Sequence, residues 1–126
     1  MALEYKVEMP YQGYLSKNSS KFLGGRGLKP FVRMWMSELQ SKVQALNVPL
    51  AESYKISLYG KFTDERRPDL ANLHEVIGDA LKGPRALIID DKNFIFEDKG
   101  WELGHFDPTI VIFIEPLGLD EGTSKD

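Results

Sequence analysis

Leu3, Tyr5, Val7 and Met9 alternate with Glu4, Lys6 and Glu8, the period of two expected of a strand with one apolar face. Pro10 ends that run. A polar, glycine-bearing stretch follows through Tyr14, Lys17, Asn18, Ser19, Lys21, Gly24, Gly25 and Gly27. From Pro30 the period lengthens: Val32, Trp35, Met36, Leu39, Val43 and Leu46 fall on one helical stripe, opposite Arg33, Ser37, Gln40 and Gln44. Pro30 suits the first turn, Glu38 and Lys42 have the favourable i,i+4 order, and Asn47 and Pro49 stop the helix. Trp35 and the methionines are expected in the core.

The alternation returns at Tyr54, Ile56 and Leu58, set against Lys55, Ser57 and Tyr59, and predicts a second strand reaching about Phe62. A second helix is predicted over residues 70–81, burying Leu73, Val76, Ile77, Ala80 and Leu81 and ended by Gly83 and Pro84. Ala86, Leu87, Ile88 and Ile89 lead into Asp90 and Asp91. Phe94, Ile95 and Phe96 predict a third strand, with a turn around Asp98, Lys99 and Gly100. The run from Thr109 to Glu115 is apolar on both faces, as an interior strand is. The order β-α-β-α-β-β predicts a single α+β domain, a mixed sheet with two helices, whose last two strands pair as neighbours across residues 99–108. Residues 117–126 are expected to form a flexible acidic tail.

With 126 residues and 42% hydrophobic content, the chain suits one compact domain. No targeting segment and no apolar run of membrane-spanning length stands out, so a soluble, cytoplasmic protein without membrane contact is expected. The absence of cysteine excludes disulfides, thiolate metal ligands and a cysteine nucleophile. A formal charge of −3 argues against nucleic acid only weakly, because the charge is uneven along the chain. Residues 1–45 carry seven basic side chains against three acidic ones, residues 46–85 balance, and residues 86–126 carry three against ten. The basic part is N-terminal. Backbone amides, lysines and tyrosines of the long first loop suit phosphates and unpaired bases, where the plainer alternative is a solvated linker.

The candidate chemistry lies within residues 66–91. Asp69 follows Pro68 at a strand-to-helix junction, where it either caps the helix or binds a cation. Adjacent carboxylates at Asp90 and Asp91, beside an apolar run, are costly unless solvated, hydrogen-bonded or neutralised by a cation. Ala71, Glu75 and Asp79 recur at helical spacing, with Asn72 one position on; a solvated acidic stripe is the plainer and preferred account of Glu75. His74 and His105 lack zinc-ligand spacing, and His74 is expected as an exposed helix residue. Neither a nucleophile elbow nor a phosphate-binding glycine loop is present, GGRG having the wrong spacing for either nucleotide-binding motif. Hard oxygen donors remain, which suit magnesium and phosphodiester hydrolysis.

At these residues the chain resembles the RusA family of Holliday-junction resolvases, whose pattern is roughly D-x-D-N, a helix ending D-A-L, then a D-D pair. Here the positions read Asp69, Leu70, Ala71, Asn72; Asp79, Ala80, Leu81; and Asp90, Asp91. The likeness extends more loosely from Leu3 to Pro116 and implies a resolvase domain over residues 1–116. Two positions depart: Ala71 stands where the second motif aspartate is usual, and Glu75 where a lysine is usual. The resemblance implies a magnesium-dependent crossover junction endodeoxyribonuclease of DNA recombination and repair, in a phage or prophage setting, with manganese as a possible substitute. It implies Asp69 and Asp91 as principal metal ligands and catalytic residues, Asp90 and Glu75 as further candidates, and Asn72 and Asp79 as support. Branched DNA would be held through Lys17, Lys21, Arg26, Lys29, Arg66 and Arg67 by a homodimer that makes paired nicks. The alternatives are a junction-binding protein of the same fold without catalysis, suggested by Ala71, and an acidic interaction module, suggested by net charge.

Overall fold

The computed structural model describes residues 4–11, 30–64, 70–82, 86–87 and 93–119, without the side chains of Asn72 and Leu119. The order is β1 (Tyr5–Pro10), α1 (Pro30–Leu46), β2 (Ala51–Lys61), a 3-10 turn (Leu70–Leu73), α2 (His74–Leu81), β3 (Phe94–Glu102) and β4 (Thr109–Leu119). This is the expected α+β fold: two helices and a mixed four-stranded sheet. Among the described residues no helix is long and apolar enough to cross a membrane.

The sheet order is β1-β4-β2-β3, with β4 antiparallel to both neighbours and β2 parallel to β3. The expected pairing of β3 with β4 is therefore wrong. β4 is the strand with the longest apolar run, and a central place gives it a hydrogen-bonded neighbour on each side. Its start need only pass one strand to lie beyond β2, about 10 Å from β3, which residues 103–108 can span. The end of β2 holds that passage: Phe62 N donates to Glu102 O at 2.8 Å, Gly104 N to Thr63 O at 3.1 Å and His105 N to Phe62 O at 3.1 Å. Residues 117–119, expected as tail, belong to β4, Leu117 pairing with Ser53 and Leu119 with Ala51; residues 120–126 lie outside the described residues.

One face of the sheet forms the core. Val7 and Met9, Ile110, Ile112 and Ile114, Tyr54, Ile56 and Leu58, and Phe94 meet Val32, Trp35, Leu39 and Val43 of α1 and Val76, Ile77, Ala80 and Leu81 of α2. The predicted stripes reach the core, with Met36 and Leu46 half-buried at its edge, whereas Met34, expected there with the other methionines, is exposed; each fully buried aliphatic side chain stabilises the fold by about 1.5–3 kcal/mol relative to exposure. Trp35 is buried, and its indole N–H donates to Pro10 O at 2.7 Å, while Lys42 Nζ donates to Glu8 O at 2.9 Å, so α1 is tied to β1. Asn47 takes φ 54°, a left-handed conformation suited to a helix end, as its position after the stripe predicts. The buried Tyr54 hydroxyl is satisfied by donating to Pro49 O and accepting from Ala51 N.

The other face carries long charged side chains. Lys55 pairs with Glu97 at 3.0 Å, and Lys99 reaches from β3 to Glu4 at 3.7 Å with its ammonium 4.4 Å from the Phe113 ring centre. This cover explains how β4 is apolar on both faces in a sheet with helices on one: Val111 is buried and Phe113 half-buried on the charged side. The turn expected at Asp98, Lys99 and Gly100 is instead a bulge within β3. Leu58 is opposite Asp98 but Tyr59 is opposite Gly100, leaving Lys99 as the extra residue, and Gly100 has φ 116°.

Candidate functional site

Asp69, Asp90, Asp91, Arg66, Arg67, Lys17, Lys21, Arg26 and Lys29 lie outside the described residues. What the structure gives is the frame around them. Leu70, the residue after Asp69, opens the 3-10 turn, and β3 starts three residues after Asp91. The helical segment between these acids is shorter in its α part than predicted, since Leu70–Leu73 is 3-10 and α2 begins only at His74. Three residues per turn rather than 3.6 rotates Ala71 by roughly 60° relative to Glu75. The expected single stripe of Ala71, Glu75 and Asp79 is therefore broken at its first member. Ala71 and Glu75 are exposed; Asp79, half-buried, pairs with Lys82 at 3.5 Å.

The start of α2 is anchored by an unexpected partner. His74 is half-buried rather than exposed: its ring stacks on Phe96 at 4.4 Å and 14°, and its Nε2 lies 2.8 Å from Asp98 Oδ1. Asp98 sits on β3 opposite Leu58, on the helix side, so the pair ties the first residue of α2 to the edge strand. Periodicity could not reveal this, because it joins residues 24 apart across two elements.

A second cluster stands where β2 and β3 end. The Tyr59 hydroxyl donates to Glu102 Oε1 at 2.7 Å, and His105 Nε2 bonds the other carboxylate oxygen, Oε2. The Tyr59 hydrogen bond, followed by that from His105, holds the Glu102 carboxyl below its ordinary value, and the same bond raises the Tyr59 phenol. Thr63 Oγ1 donates to His105 O at 2.9 Å, so the histidine is fixed through both backbone and ring. On the charged face the hydrogen bond and charge of Lys55 lower Glu97, which in turn raises Lys55.

Among the described residues no three His, Asp or Glu side chains come together as a metal site; His74–Asp98 and Glu102–His105 are pairs. Of the carboxylates implied as ligands, Glu75 alone is described, and it lies exposed on the first turn of α2. The side chains that the resemblance implies as ligands, Asp69, Asp90, Asp91 and Glu75, are all carboxylates, and hard oxygens of that kind suit magnesium and manganese. No protein-family model matches the chain, and no curated protein matches it.

Proposed function

We propose that the chain is a divalent-metal-dependent endodeoxyribonuclease acting on branched DNA, as RusA-type resolvases do. The observation that carries this reading is the distribution of acids about one helical segment: Asp69 directly before it, Asp79 within its last turns, and Asp90 with Asp91 on the return to β3. The α+β order found for the described residues is compatible with it. Asp69 and Asp91 would hold magnesium, with Asp90 and Glu75 as further oxygen donors. Once bound, the ion would orient a water and stabilise charge on the phosphate. Lys17, Lys21, Arg26 and Lys29, with Arg66 and Arg67, would neutralise DNA phosphates, and a two-fold homodimer would set two such sites for paired nicks.

A second reading is favoured by Ala71. A junction-binding protein without turnover would need the DNA contacts but not a complete ligand set. The rotation between Ala71 and Glu75 adds to that reading, because Glu75 is poorly aligned to replace a carboxylate at position 71.

One assay separates the two: a labelled four-way junction and a linear duplex, each with magnesium, manganese or neither. The nuclease reading expects ion-dependent nicking of the junction. It expects Asp91→Asn to bind the junction as before but to cut at least about a hundredfold more slowly, the equivalent of roughly 3 kcal/mol of lost charge stabilisation. Nicking by Asp91→Asn at the natural rate would remove Asp91 from the site. Binding without cutting under any ion, together with cutting by Ala71→Asp, would establish the binding protein instead.

A further inference from the structure

The parallel strands β2 and β3 carry a chain of three polar side chains at their carboxyl ends, where Tyr59 bonds one oxygen of Glu102 and His105 Nε2 the other. The histidine is half-buried, and its main chain is held by His105 N donating to Phe62 O and Thr63 Oγ1 donating to His105 O. The Tyr59 and His105 bonds keep the Glu102 carboxyl below its ordinary value, so near neutrality it is ionised and can only accept. The hydrogen between carboxylate and ring therefore sits on Nε2, and in the neutral ring the free lone pair is left on Nδ1. Among the described residues Nδ1 has no hydrogen-bond partner. A carboxylate behind one imidazole nitrogen fixes the tautomer and orientation of the ring, which is what a general base needs. The cluster also stands where a ligand would be met. β2, α2 and β3 form a βαβ unit, and open α/β sheets bind ligands outside the carboxyl ends of such strands. Thr63 leads into the connection that carries Arg66, Arg67 and Asp69 to the 3-10 turn, and Pro108, three residues after His105, accepts from Tyr11 N, where the basic segment of residues 12–29 begins. His105 thus lies between the points at which the two segments proposed to contact DNA leave the sheet.

We infer that His105 is the general base of phosphodiester hydrolysis, with Glu102 and Tyr59 as the residues that position it. The inference rests on the nuclease reading and adds to it the group that takes the proton. His105 Nδ1 accepts a proton from the attacking water as the water oxygen bonds to phosphorus. The bond from phosphorus to the leaving sugar oxygen breaks, that oxygen takes a proton from solvent, and His105 returns its own to solvent. The products are a phosphomonoester and a hydroxyl. The titratable and charged groups around the ring are Glu102 on β3, Tyr59 and Lys61 on β2, and Asp64 and Asp107 on the connections beside it. The competing role is purely structural, a pair that fastens residues 103–108 to the end of β2. That role needs the hydrogen bond to Glu102 but not a ring that titrates.

Nicking of a labelled four-way junction at saturating magnesium, followed from about pH 5 to about pH 8, provides the test, because that is the span in which histidine changes charge. The natural rate is expected to fall on the acid side, where the base takes up its proton. His105→Gln, whose amide can still donate to Glu102, is expected to cut about a hundredfold to ten-thousandfold more slowly near neutrality and to lose that acid limb. Its junction affinity in EDTA and its urea midpoint are expected to match those of the natural protein. Tyr59→Phe and Glu102→Gln, which loosen the ring without removing it, are expected to lose less activity and to keep the limb. Nicking by His105→Gln at the natural rate, or an acid limb that survives in it, would overturn the inference. If His105→Gln lowers the urea midpoint, His105→Ala decides: added imidazole is expected to restore part of its nicking, and no restoration would overturn the base. Nicking by the natural protein is read first. A protein that nicks but is indifferent to His105→Gln retains the nuclease reading alone, and one that never nicks with magnesium or manganese loses that reading and the base with it.

Discussion

Gly60 lies at the end of β2, and the space that a Cβ would take there is filled by the ring of Phe62. Phe62 is buried and meets the edge of the Tyr11 ring at 5.5 Å, so it has little room to retreat. Gly60→Ala is therefore expected to lower unfolding free energy by about 2–3 kcal/mol, as overpacking does, with Phe62→Leu restoring part of it. A urea midpoint unchanged by Gly60→Ala would refute this. Glu102 gives a pH dependence of definite sign. Its folded-state carboxyl titrates below the ordinary value of 4.5, so the stability it contributes is present above that value and is lost as pH falls through the lower, folded one. Glu102→Gln should flatten the acid limb of a stability-versus-pH curve below about pH 4.5; an acid limb of unchanged slope would show that the Tyr59 bond is too exposed to matter.

Among the elements, β3 departs furthest from regularity. Its bulge needs Gly100 at φ 116°, a conformation that costs a side-chain-bearing residue about 1–2 kcal/mol even though nothing lies within 4 Å of the site. Gly100→Ala is expected to destabilise the fold by that amount in urea titration through backbone strain, and a neutral result would mean that the strand relaxes into an unbulged register. That register would carry Trp101 to the charged face. Lys99, the extra residue, lies over Phe113 on the charged face.

For the whole molecule the uneven charge matters more than its total. If the basic N-terminal third contacts phosphate, replacing Lys17, Lys21 and Arg26 together should weaken junction binding and reduce the salt slope by up to about three, given roughly 0.9 per phosphate contact. An unchanged slope would remove that segment from the interface. Sedimentation tests the proposed homodimer: paired cuts made by a strict monomer would exclude two symmetric sites.

The hydrophobic pattern by itself determined the order of helices and strands, the core face of each up to the β3 bulge, and the α+β class, though not the full lengths of β3 and β4. Val32, Trp35, Leu39 and Val43 are buried as their spacing requires, and Ile56 and Leu58 as their alternation requires. Such patterns are local, and each is satisfied by any apolar neighbour. They also located the acids around one helical segment, although Asp69, Asp90 and Asp91 lie outside the described residues. Tertiary structure alone decided that β4 enters between β1 and β2, because strand order depends on how much apolar surface each arrangement buries and not on any one strand's period. It likewise decided the 3-10 start before α2, the bulge that reorients Trp101, and the pairs His74–Asp98 and Glu102–His105. Each of these depends on what a neighbouring element presents, and that is known only once the elements have packed.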